Sequence, residues 1–124
     1  MIRVLLIATA VIELGAGLGM LIDPASAGTS FTGSPLSEPG GLLLTRIGGA
    51  GLLAFVVACV LASRDAASRA ARGVAAGALL YNIAAAAILA YARFGQGLAG
   101  AVLLPGIMLH TAMAIWCLLC LRKN

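Results

Sequence analysis

Four stretches of about 20 residues each, almost empty of charge, dominate this chain: Ile2–Ile22, 42–62, 72–92 and 98–121. That length is what a helix needs to cross the hydrocarbon core of a bilayer. Leu, Ala and Val fill them without the strict alternation of a barrel strand. Backbone facing lipid must satisfy its own hydrogen bonds, so helices are the economical solution. The expected fold is all-α: one domain over residues 1–124, a polytopic membrane protein built as a four-transmembrane-helix bundle. Composition agrees. The chain is 62% hydrophobic and only 10% charged, against about 25% charge in soluble domains. A water-soluble domain of this size could not hide so much apolar surface. Disordered, disulfide-scaffold and ordinary soluble-enzyme classes are excluded on the same grounds.

The connections differ in kind. Residues 23–41 form a polar, turn-rich external loop containing Pro24, Pro35 and Pro39, long enough for structure of its own. Residues 63–71 are short and basic, and 93–97 read as a tight turn. Arg3, Arg64, Arg69, Arg72, Arg122 and Lys123 collect on one side; only Arg93, with Arg46 inside the second span, belongs to the other. The positive-inside rule then puts both termini in the cytoplasm of a cell inner membrane and residues 23–41 outside. The same sorting explains the net charge of +4. Anionic lipid headgroups suffice as partners for these arginines, and no nucleic acid is called for.

Arg3, an apolar run and Ala25-Ser26-Ala27 also resemble a signal peptide with its cleavage site. The run is long, however, and Glu13 interrupts its centre, which favours an uncleaved first helix. Cys59, Cys117 and Cys120 lie in apolar spans, where an odd number reads as packing rather than a disulfide framework. The Cys117/Cys120 spacing matches a CxxC pair, but only leucines lie between and the pair points to the cytoplasmic side.

The informative residues are those a membrane makes expensive. Each span carries one: Glu13, Arg46, Asn82 beside Tyr81, and His110. At about 1.5 Å per residue, Glu13, Asn82 and His110 share a layer near mid-membrane. Arg46 lies roughly 10 Å outward, within side-chain reach. A mid-membrane carboxylate costs about 2.5–3.5 kcal/mol on insertion scales, so it must pair, protonate or face water. Glu13 is therefore expected to face the interior, with Arg46 or His110 as partner. Asn82 and Tyr81 also suit a purely structural role as interhelical hydrogen-bonding glue. His110 lacks companions for a metal or haem, and Met108 and Met113 read as packing, so neither metal nor cofactor is expected. Gly15/Gly19 and Gly73/Gly77 have GxxxG spacing, and Gly48, Gly49 and Gly51 crowd the second span, marking faces for close helix approach. Pro105-Gly106 should kink the fourth helix one turn before His110.

Two families share this outline. The single glutamate in the first of four helices, Glu13, resembles that of the small multidrug resistance transporters, a likeness that would make Glu13 a proton-exchanging group. The long loop, Arg46, the charge asymmetry and the lack of an aromatic cage depart from that family. Leu21-Ile22-Asp23-Pro24, a polar loop and a second helix opening with Thr45-Arg46-Ile47-Gly48-Gly49 are similar to the DoxX-like small four-helix membrane proteins. That resemblance implies an accessory membrane protein, sometimes tied to redox complexes, and carries over no catalytic residue. The leading expectation is a non-enzymatic accessory subunit or small-ligand-binding module. It would be a homo-oligomer or part of a larger membrane complex, built around Glu13, Arg46, Tyr81, Asn82 and His110. The alternatives are a proton-coupled transporter or channel using Glu13, and a membrane enzyme on a lipid or sterol-like substrate with Glu13 and His110 as acid and base.

Overall fold

The computed structural model describes residues 1–122; Lys123, counted above among the cytoplasmic charges, lies outside the described residues. Five helices follow one another: α1 (Ile2–Ile22), α2 (Pro24–Thr32), α3 (Pro39–Arg64), α4 (Arg69–Ala90) and α5 (Leu103–Arg122). No strand occurs among the described residues. α1, α3, α4 with its extension to Gly95, and α5 are each long and apolar enough to cross a membrane. The chain is accordingly a multi-pass membrane protein. α3 has 26 residues, about 39 Å at the α-helical rise, more than the ~30 Å hydrocarbon core requires.

Local chemistry sets the helix ends. A single residue, Asp23, closes α1 and opens α2. The following Pro24 bars the helical conformation at Asp23, whose φ/ψ of −131°/73° breaks the helix. The Asp23 side chain then accepts from the Ser26 N–H at 3.1 Å, capping a helix with Pro at its first position. Glu38 and Pro39 repeat the device at α3, with the carboxylate accepting from Gly40 N–H at 2.9 Å and Gly41 N–H at 2.6 Å. Ser68 caps α4 through Ala71 N–H at 3.1 Å.

Residues 23–41, long enough for structure of their own, fold over about half their length as α2, which ends on Gly33 in the left-handed conformation (φ 79°). Two other expectations change. The turn expected at 93–97 is longer: α4 loosens into a π turn over Tyr91–Gly95, and an irregular connection runs to Val102. There Arg93 Nη1 donates to the Leu98 carbonyl at 3.1 Å. The fourth span begins at Leu103 rather than 98, which moves Pro105 into the first turn of α5. First-turn backbone N–H groups have no intrahelical partner, so Pro105 starts the helix instead of kinking it. α2 is tied to this connection by Val102 N–H donating to the Ser30 carbonyl at 3.2 Å. Gly100 lies directly against the Phe31 carbonyl, where a Cβ has no room.

The helices associate as two pairs, α1 with α3 and α4 with α5, and contacts between the pairs are sparser. Glycines bring α1 and α3 together, but not those with GxxxG spacing. A Cβ on Gly49 would lie 2.8 Å from the Gly17 carbonyl oxygen and 3.0 Å from the Leu21 nitrogen. Around Gly15, Gly19, Gly73 and Gly77, by contrast, no described atom lies within 4 Å of an added Cβ. The core fills the half of the bundle that carries the termini. There Leu5, Leu6, Cys59, Ala71, Ala75, Cys117 and Cys120 are fully buried together, with Met113 beside them. Apolar side chains such as Val11, Ile22, Leu44, Leu80 and Met108 point outward, as lipid-facing surfaces require.

Candidate functional site: a cleft ending on a buried glutamate

Above that core the two helix pairs do not close. A cleft of about 760 Å³ lies between them, lined by residues from all five helices. Its walls are apolar and mix small with large residues: Gly48, Gly51, Leu52 and Phe55 on α3, Gly77, Ala84, Ala85, Ile88 and Leu89 on α4, Leu109 on α5, with Ile12, Ala16 and Met20 on α1. Phe31 of α2 stands at the end far from the core. Gly51 and Gly77 face open space, because no described atom lies within 4 Å of a Cβ built on either. Its volume falls within the range of small-molecule sites, about 300–1,000 Å³.

The only ionisable or hydroxyl-bearing side chains in this lining are Glu13, Tyr81 and His110, at mid-helix. Glu13 is 3% exposed, and its Oε2 accepts from the Tyr81 hydroxyl at 3.2 Å. Tyr81 packs edge-on against His110, ring centroids 5.5 Å apart, and against Phe55 at 5.7 Å. Asn82 is buried behind them. Its Nδ2 donates to the Ala78 carbonyl at 2.8 Å, and its Oδ1 meets His110 Nδ1 at 2.8 Å. Glu13, Tyr81, Asn82 and His110 thus come together in two linked hydrogen-bonded pairs.

Arg46 does not join them. It is exposed on α3, outside the cleft lining, and Glu13 is partnered by Tyr81 rather than by the expected Arg46 or His110. The reason is azimuth. Gly48, Gly51, Leu52 and Phe55 define the cleft-facing side of α3, and Arg46 projects from another side, where its long stem can snorkel. Sequence reasoning also passed over Thr9, one turn before Glu13 on α1. It is 1% exposed, and its hydroxyl has no hydrogen-bond partner among the described residues. The cleft walls were readable in principle. Positions 48, 51, 52 and 55 recur at helical spacing, as do 77, 81, 84, 85 and 88, marking one face of each helix.

No three His, Cys, Asp or Glu side chains gather into a metal-holding group among the described residues. What the arrangement offers is an apolar slot with a carboxyl, a phenol and an imidazole at one end. That is a shape and polarity suited to an amphiphile. The chain matches no protein-family profile, no curated protein and no solved structure.

Proposed function

We propose that this protein is a small-ligand-binding membrane module, taking a lipid-soluble molecule into the cleft between its helix pairs. The carrying observation is the cleft itself: about 760 Å³ of apolar wall ending on Glu13, Tyr81 and His110. Interhelical glue alone needs no such space, because packing residues could fill it, and a buried carboxyl is a costly way to tie helices. An apolar ligand body would replace the missing packing, and its polar end would meet the three side chains. The arginine asymmetry supports an inner-membrane orientation with both termini cytoplasmic and α2 outside. In that orientation the cleft lies in the outer half of the bilayer.

The test is gentle extraction into lipid nanodiscs, followed by native mass determination and extraction of bound small molecules. Wild type should retain an apolar small molecule at fixed stoichiometry. Gly51→Leu with Gly77→Leu fills the cleft from two walls that have room for a Cβ, so the folded bundle should survive while the adduct is lost. An adduct unchanged in the filled variant would overturn the reading.

A further inference from the structure

The polar end of the cleft has a direction, set by a residue that does not touch the cleft. Asn82 Nδ2 must donate to the Ala78 carbonyl, since a flipped amide would set oxygen against oxygen at 2.8 Å. Asn82 Oδ1 therefore faces His110 Nδ1, and Nδ1 carries the proton of that 2.8 Å bond. In the neutral ring, Nε2 is left with a lone pair. No partner among the described residues takes it up, and Nε2 is not among the sealed, unpartnered atoms, so the ring that lines the cleft keeps an accessible acceptor. Glu13 is directed in the same way. Its Oε2 is hydrogen-bonded to the Tyr81 hydroxyl, which leaves Oε1 as the carboxyl oxygen that can meet a ligand. Oε1 likewise has no partner among the described residues and is not sealed off. The cleft floor thus offers an acceptor, His110 Nε2, in the same lining as the open carboxyl oxygen of Glu13.

We propose that the ligand class selected here is an apolar molecule ending in a hydroxyl group, an inference that rests on the cleft being a binding site. A hydroxyl gives its proton to His110 Nε2, the acceptor that the Asn82 hydrogen bond leaves open, and its oxygen can still accept from a carboxyl O–H. A ketone, ester or ether can only accept, leaving Nε2 unpaired against an oxygen lone pair, the asymmetry that makes an unmade hydrogen bond expensive. A carboxylate brings negative charge beside Glu13 with no cation in the lining, because Arg46 is elsewhere. An ammonium head could donate to Nε2 and to the carboxylate form of Glu13, but it carries a charge into apolar walls.

The experiment uses the full chain, bearing a tag without histidine, in phosphatidylcholine nanodiscs. Hexadecyl probes with a mid-chain diazirine and a hydroxyl, methyl ether, carboxylate or ammonium head are photolysed at equal bilayer concentration, and labelled residues are mapped. The alcohol should label cleft residues about tenfold more than the ether, and Asn82→Leu, which releases the ring, should bring that ratio near one. Equal labelling by alcohol and ether in wild type overturns the hydroxyl assignment while leaving the cleft a binding site. Preference for the ammonium or carboxylate probe overturns it in favour of a charged ligand. Failure of every probe to label the cleft removes the binding reading beneath it. His110 is the one histidine in the sequence, so ¹⁵N-histidine spectra report its tautomer alone. A proton on Nδ1 is expected, and a proton on Nε2 in unlabelled wild type would overturn the proposal even if Asn82→Leu does not fold.

Discussion

The two halves of this bundle are built from the same apolar alphabet and end up different. Toward the termini, Leu5, Leu6, Cys59, Ala71, Ala75, Cys117 and Cys120 leave no accessible surface. Toward α2, residues of comparable hydrophobicity line an unfilled cleft. Side-chain volume alone does not separate them, since Ala71 and Cys117 sit in the filled half while Ile88 and Leu109 border the open one. Cys59 and Ala75 are small, but Leu5 and Leu6 of α1 stand with them in the same buried cluster. Beyond the Phe55–Tyr81 ring contact, Gly48 and Gly51 on α3 share the lining with Ala84 and Ala85 on α4, and Leu52, Ile88 and Leu89 border the space without filling it. The polar layer of Glu13, Tyr81, Asn82 and His110 lies on the boundary. Hydrophobicity places both halves in the membrane, and the separation of the two helix pairs decides which is solid.

The sharpest way to break this contrast is truncation on each side of the boundary. Leu6→Ala should cost about 2–4 kcal/mol by opening a cavity in the filled half. Leu52→Ala, whose side chain already borders empty space, should cost less than about 1 kcal/mol. Reversible unfolding in mixed micelles compares the two, and equal costs would mean that the halves are packed alike.

Next come the glycines. Gly49→Ala forces α1 away from α3, since the new Cβ meets backbone at 2.8 Å, and a loss of about 1–3 kcal/mol is expected. Gly15→Ala meets no described atom within 4 Å and should be neutral or gain up to about 1 kcal/mol from helix propensity. The same unfolding assay decides. A marked loss at Gly15 would instead reveal a helix or second copy packed on that face.

A smaller effect is expected beside the polar layer. Thr9→Val removes a buried hydroxyl without a partner among the described residues, so stability should hold or rise by about 1 kcal/mol. A loss above about 1 kcal/mol would show that this hydroxyl is satisfied in the folded protein, and the boundary would be more polar than described.

The smallest effect lies at the α2 end. The hydroxyl and backbone N–H of Ser26 hold the Asp23 carboxyl below its ordinary value, and the Gly40 and Gly41 N–H groups do the same for Glu38. Depressed carboxyl values stabilise the fold above the ordinary carboxylate range, and that contribution fades as pH falls through the lowered values. Amide exchange at Ser26, Gly40 and Gly41, normalised to intrinsic rates, should therefore accelerate between about pH 5 and pH 2. The filled half should show no such change over that range.

Much of the architecture was legible in the residues. Long apolar runs announce helices because lipid leaves the backbone no other way to satisfy itself. The rarity of charge made Glu13 and His110 conspicuous before any packing was known. Helix ends were less readable, since Pro105 signals a kink mid-helix and a start near an end, and only the boundary at Leu103 distinguishes them. Among the site residues, Arg46 was placed by depth alone, and depth says nothing of the side of the helix from which a residue projects. Gly17 carried no signal, being one of many small residues, yet it is the one that meets Gly49.

Sequence by itself determined the solvent, the number of spans and the layer in which polar groups lie, because these follow from one-dimensional quantities: hydropathy, length and the rise per residue. Tertiary structure alone decided that Glu13 bonds Tyr81, that Asn82 turns the His110 ring, and that the α2 half stays open. Those depend on the rotation and separation of helices, which sum many small contacts from residues far apart in the chain. No single stretch of sequence records that sum.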